Sequence, residues 1–285
     1  MNVPRYWARC QGEGILPGGA RVPLVVYGAS DRSQDSAVRA GQKKLRAVAD
    51  RILLGWNALN AYGYADAPLR EEIVSQIEGP TRGVIGIVTR NSYGCEVLNT
   101  AGVMFVDIDL PKQGLGNVLG RLVGGLLGRK TADPEAEVLA RLDEWMRNRR
   151  HWGMRVYRTR AGFRCLVTHD IFDPAGRDTA NALAALGADP LFMRLCRTQQ
   201  SFRARLTPKP WRCEVARPPL RYPWDSATEE SRFRRWQTEY ESASAAFAVC
   251  SLIRELGSTR HHPDARTVMT LHDARTGVGS DRALA

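Results

Sequence analysis

Val103-Met104-Phe105-Val106-Asp107-Ile108-Asp109 is a run in which four apolar residues lead into two acids separated by one isoleucine. An apolar run this short and rich in β-branched and aromatic residues reads as a strand. Residues two apart on a strand point to the same face, so Asp107 and Asp109 project together from its C-terminal end. Two such carboxylates repel each other unless a cation or an arginine lies between them. Paired carboxylates on a rigid strand are a platform for Mg²⁺ or Mn²⁺, with substrate phosphates completing the shell. The motif is short, and it equally fits a solvent-facing strand end bridged to arginines.

The flanking sequence extends the sheet. Upstream, residues 83–88 and 93–98 are strand-like around the turn-prone Asn91-Ser92. A Gly-rich stretch, Gly114 to Gly128, has no period and reads as a loop or short helix. Asp133-Pro134-Glu135 opens a helix that runs to Arg150, by the placement of proline and acid at its start. Strands over 154–158 and 163–168 follow, joined by Thr159-Arg160-Ala161-Gly162 as a tight hairpin turn. Helices near 179–186 and 191–199 then precede a strand at 202–206, where alternation puts Arg203 and Arg205 on one face.

Proline-rich residues 207–224 read as irregular, and a last helix over about 228–256 ends in a polar tail. At the other end, 3–28 read as a hairpin-like start. From Ser36 a long amphipathic helix carries Val38, Leu45, Val48, Ile52, Trp56 and Leu59, and a second helix after Pro68 places Ile73, Val74 and Ile77 on one face. Mixed hairpins and crossovers make the class α+β, with a mostly antiparallel sheet flanked by helices. Three regions result: 1–80, a strand–helix region packed on the core; 81–225, the core itself; and 226–285, the C-terminal helix and tail.

Composition narrows the function. The 285 residues carry a net charge of +11, and 44% are hydrophobic, as in a globular protein. Neither a membrane helix nor a signal peptide is expected, and a cytoplasmic place is. The six cysteines are scattered, without zinc-ligand spacing. Residues 194–235 hold +7 of the +11, which suits phosphate-bearing partners, although arginine exceeds lysine throughout. Lys209, Arg212 and Trp211 extend the arginine strand, and guanidinium groups beside an aromatic ring grip a triphosphate or a single strand. Alternatively, Trp211, Tyr222 and Trp224 pack the proline-rich segment onto the core. His261-His262-Pro263-Asp264 and His272-Asp273 read as a solvated tail. No nucleophile elbow, Walker loop or dinucleotide glycine pattern occurs; Gly128-Arg129-Lys130-Thr131 lacks the Walker frame.

The order of acid-pair strand, helix, hairpin and arginine strand resembles the catalytic core of the archaeo-eukaryotic primase (primase-polymerase) superfamily over about residues 80–225. The resemblance implies an RRM-like core and a metal-dependent nucleotidyltransferase. Its substrates would be nucleoside triphosphates and nucleic acid, either single-stranded or primer-template. It implies Asp107 and Asp109 as catalytic metal ligands, with Mg²⁺ or Mn²⁺ as cofactor. Its hairpin signature falls on Thr159, Gly162 and Arg164, and the nucleotide and phosphate contacts would be Thr159, Arg164, Arg203, Arg205, Lys209 and Arg212. Two departures stand out. Arg164 occupies the place of the family's nucleotide-contacting histidine, with His169 expected on the opposite face. The third metal acid has no clear counterpart, Glu214 and Asp225 being candidates by order alone. A non-catalytic nucleic-acid or nucleotide binding module on the same scaffold is the alternative reading. A metal-dependent phosphohydrolase is a third, since Asp-x-Asp also opens haloacid-dehalogenase-type sites.

Overall fold

The acid-pair strand stands at one end of a sheet among the described residues. In the computed structural model, which describes residues 1–55, 68–111 and 133–285, β6 (Phe105–Asp109) pairs antiparallel with β8 (Gly162–Val167) and, among the described residues, with no other strand. Strand β7 (Gly153–Thr159) forms the expected hairpin with β8, and β11 (Cys250–Gly257) pairs with β7 to complete a four-stranded sheet in the order β11-β7-β8-β6. A second antiparallel sheet runs β3 (Glu72–Glu78), β4 (Val84–Arg90), β5 (Glu96–Thr100), β9 (Phe202–Arg205). The class is therefore α+β, with antiparallel sheets flanked by helices.

Both sheets share one apolar core. Val88 and Leu98 from one sheet meet Phe105, Val106 and Cys165 from the other. Helix α2 (Pro134–Arg147) contributes Val138, Leu142 and Met146, and α3 (Arg177–Leu186) contributes Leu183 and Leu186. Asp133 caps α2 as the sequence indicates, its side chain accepting from the Glu135 amide. Helix α4 (Pro190–Gln199) follows α3 directly and is capped by Asp189.

At the N-terminus, β1 (Tyr6–Ile15) and β2 (Arg21–Ser30) form a long hairpin covered by α1 (Gln34–Leu53). The helix comes close enough that a Cβ on Gly28 would lie 2.1 Å from the Ala37 carbonyl oxygen. Only glycine permits that approach. The far end of the long helix, at Trp56 and Leu59, lies outside the described residues, as do Gly114–Gly128 and the 128–131 segment.

Two readings are corrected. The segment after Pro68 is strand β3, not a helix. Ile73 and Ile77 are four apart, as on one helix face, but they pair with Thr89 and Gly86 of β4, and the irregularity between Ile73 and Ser75 turns them to opposite faces of the sheet. Ile77 joins the main core, while Ile73 packs beside Val3, Leu69 and Ile87.

The last helix is not the one expected to reach 256: α5 (Ala227–Ser244) stops well short of that residue. Nor is the remainder of the chain a polar tail. It holds β10 (Phe247–Ala248), β11, α6 (Pro263–Thr276) and β12 (Ala283–Leu284), and it buries Asp264 and His272 completely, each at 0% exposure. Cys250, Leu252 and Leu256 pack on the core from β11, which gives this segment its own sheet edge to cover. No helix among the described residues is long and apolar enough to cross a membrane.

Candidate functional site

Register sets the centre of the site. Asp107 lies opposite Arg164, and Asp109 lies opposite Gly162. A Cβ on Gly162 would sit 2.0 Å from the Ile108 carbonyl oxygen, so the hairpin can lie this close to the acid strand only with glycine there. The hairpin is braced from within. The Gly162 amide donates to the Thr159 hydroxyl at 3.1 Å, and Arg158 donates to the carbonyls of Thr159 and Gly162 and pairs with Glu135. The Thr159 hydroxyl keeps its own proton to donate.

One pocket of about 140 Å³ is lined by Asp107, Asp109, Thr159, Arg164, Arg205, Lys209 and Arg212. Seven of the eight expected site residues are thus together. Carboxylates on β6 form one wall. The cations of β9 and of the short 3₁₀ turn at Pro210–Arg212 form the other.

Charge is frustrated on both walls. Burial, then the charges of Asp107 and Asp189, push the Asp109 carboxyl above its ordinary value. Burial, then Arg205 and Arg212, hold the Lys209 ammonium below its own. Burial, then Arg205 and Arg160, do the same to Arg212. Like charges crowd each wall, so a cation at the first and an anion at the second would each relieve repulsion.

Arg164 lines the pocket but is already engaged, and Arg203 lies outside it. Arg164 is only 2% exposed. Its Nε donates to Asp107 Oδ1 at 3.3 Å, and its Nη1 donates to the Arg205 carbonyl at 2.9 Å. It therefore fixes Asp107 and ties β8 to β9, joining the two sheets at the pocket, and is not an open phosphate contact. Arg203 does not line this pocket. Its Nη2 donates to both oxygens of Glu71, at 2.8 and 2.7 Å, and Glu71 in turn accepts from the buried Thr89 hydroxyl. Arg203 and Arg205 share a strand face, as read, but Glu71 claims the first.

The candidates for a third acid are elsewhere. Asp225 pairs with Arg9 at 2.8 Å, and Glu214 is exposed on a turn with φ 60°. The acid that does approach is Asp189, the cap of α4. Its amide donates to the Asp107 carbonyl at 3.0 Å, and its charge acts on Asp109. The cap signature Asp189-Pro190 is visible in the sequence, but which strand end it meets is a long-range fact. Among the described residues, no group of three or more His, Cys, Asp or Glu side chains is placed to hold a metal ion. Asp107 and Asp109 remain a two-carboxylate platform, which fits Mg²⁺, an ion commonly held by one or two carboxylates plus phosphates and waters.

Behind the pocket lies a buried polar line that the sequence does not disclose. His272 faces Arg164, with Nε2 3.4 Å from Nη1, and its Nδ1 lies 3.0 Å from Asp273 Oδ1. Asp273 also accepts from the Tyr157 hydroxyl and from Arg155. His169, as expected, is turned away, packing on Trp152 and Phe172. Of the aromatics, Trp224 packs on Phe233, within a cluster that includes Trp236 and Tyr240. Trp211 is 42% exposed, edge-on to Tyr93, with Lys209 and Arg217 near its ring.

Searches against protein-family models, curated proteins and solved structures find no match to this chain.

Proposed function

We propose that the chain is a metal-dependent nucleotidyltransferase with a primase-polymerase-like, RRM-like core, acting on nucleoside triphosphates and nucleic acid. The observation that carries the reading is the facing of a carboxylate pair and three crowded cations across one small pocket. Asp107 and Asp109 would hold Mg²⁺ or Mn²⁺, which when bound offsets the charge that builds at an α-phosphate under attack. Arg205, Lys209 and Arg212 would neutralise the triphosphate, and the Thr159 hydroxyl would donate to a phosphate oxygen. Arg164 acts as a positioning residue, holding one Asp107 oxygen and leaving the other to the pocket. A strand-end hydroxyl would form the new P–O bond as pyrophosphate leaves. The phosphohydrolase reading loses support, because such sites sit on parallel sheets and β6 pairs antiparallel with β8.

The test is divalent-dependent incorporation of a labelled nucleotide by the wild type and by Asp107→Asn. Loss of a ligand and of its charge should lower the rate by at least about a hundredfold. Equal rates, or a wild type that binds no triphosphate, would overturn the reading. A wild type that binds triphosphate and single strands without turnover points to the binding module instead.

A further inference from the structure

Two more hollows continue from the acid-pair pocket. The first, of about 180 Å³, shares Asp107, Arg164 and Arg205 with it. It reaches Glu71 and Ser92, which also wall a larger hollow of about 470 Å³. This third hollow lies where the β1–β2–α1 unit meets the core. Trp7 and Tyr27 come from the hairpin, Lys44 from α1, Leu69 and Arg70 from the segment before β3, and Arg221 from the proline-rich segment.

The chemistry of the third hollow is that of an anion attached to a flat apolar group. The Arg70 guanidinium lies 3.8 Å over the Tyr27 ring, giving a planar surface for stacking. Burial, then Tyr27 and Arg221 with opposite signs, leave Arg70 below its ordinary value, and burial followed by Arg70 does the same to Lys44. Among the described residues, Glu71 is the only acid in the wall, and it is already bound to Arg203. A small inorganic anion would leave the apolar wall unused. A membrane surface would need the apolar groups to protrude, and these line a concavity. A nucleotide within a strand uses both parts, and a duplex keeps its bases stacked away from such a hollow.

We propose that a single-stranded nucleic acid runs along this row of hollows, from the acid pair to the cleft of Lys44, Arg70 and Arg221. There its phosphates meet Arg70 and Arg221, and a base rests on the Arg70–Tyr27 stack. This gives the N-terminal unit a role in holding the strand at a distance from the chemistry. The inference rests on the nucleic-acid part of the reading above, not on turnover.

The experiment compares the full-length wild type with Arg70→Gln/Arg221→Gln. One assay is anisotropy with a labelled oligothymidylate of roughly 20 nucleotides; the other is binding of a fluorescent triphosphate. The double variant should bind the oligonucleotide about tenfold more weakly, with a salt slope shallower by about 1.4, and the triphosphate within about twofold of wild type. Unchanged oligonucleotide affinity would overturn the inference, as would an equal loss of triphosphate binding. If thermal unfolding shows the double variant to be damaged, Arg221→Gln alone, at an exposed position, carries the test with about a threefold loss and half the slope change. A wild type that incorporates no nucleotide while the strand effect holds defeats only the nucleotidyltransferase reading. Incorporation with no strand effect defeats only this inference.

Discussion

His272 shows how one side chain ties the site to the solution. With its proton on Nδ1, it donates to Asp273 and presents Nε2 as an acceptor to Arg164, so every polar atom is used. A second proton would set two donors against each other in a fully buried place. Burial first, countered by the Asp273 hydrogen bond and reinforced by Arg164 and Arg155, depresses its pKa to about 4. Cys250 and Tyr157 are its other near polar neighbours. The sign follows from proton uptake. Between an ordinary histidine value near 6.5 and the depressed one, the unfolded chain binds the extra proton and the folded chain does not. Stability is therefore complete above about pH 6.5 and falls as pH drops toward about 4, by on the order of 3 kcal/mol in full. His169, also depressed by burial, adds to the same trend. Urea unfolding of wild type and His272→Gln from about pH 7.5 to about pH 5 should show a flatter decline in the variant. Parallel declines would remove His272 as the cause.

At the scale of the element, β9 separates what the sequence discloses from what it does not. Alternation places Phe202 and Ala204 inward and Arg203 and Arg205 together on the other face, and the structure has this arrangement. The fate of each arginine, however, depends on partners distant in sequence. Arg203 meets Glu71, at 7% exposure, at the start of β3, whereas Arg205 reaches the pocket. Arg203→Met should therefore act on stability. Leaving Glu71 buried and unpaired costs about 3 kcal/mol, while triphosphate affinity should stay near wild type. A variant of unchanged stability but lost triphosphate binding would return Arg203 to the phosphate site. The same division holds elsewhere. Strands β4 to β9 and helices α2 to α4 are legible because alternation, caps and turn residues are local signals. Strand β3 carries an irregularity after Ile73 that breaks its alternation and leaves a helix-like spacing in the sequence. Strand β11 comes after a long polar helix and looks like its continuation, until β7 offers an edge to pair with, while α6 opens on histidines and an acid and reads as a solvated tail. Of the site, the acid pair, the hairpin and three cations could be read; Asp189 and His272 could not, because contact alone brings them there.

For the whole molecule, the question is whether the +11 charge acts as a coating or as a grip. Much of the basic segment is already neutralised. Arg203 is taken by Glu71, and Arg234 by Glu72 and Glu230. Arg164 and Arg203 also line the hollows but are held by carboxylates, and Lys44 donates to the Tyr27 carbonyl, so the count for a strand is taken over Arg205, Lys209, Arg212, Arg70 and Arg221. Each phosphate contact on a single strand contributes about 0.7 to the slope of log affinity against log salt. Five contacts give a slope of about −3.5, a loss of about a hundredfold between about 50 and 200 mM salt. A diffuse coating behaves differently. Engaging cations over the whole surface would steepen the slope to about −8 or beyond, and no pair of substitutions would change it by more than a small fraction. Titrating the oligonucleotide at four or more salt concentrations, with wild type and with Lys209→Gln/Arg212→Gln, separates the two. A grip predicts a shallow wild-type slope and a fall of about two fifths in the variant; a steep slope indifferent to both lysine and arginine would assign the charge to the surface at large and leave the hollows without a strand.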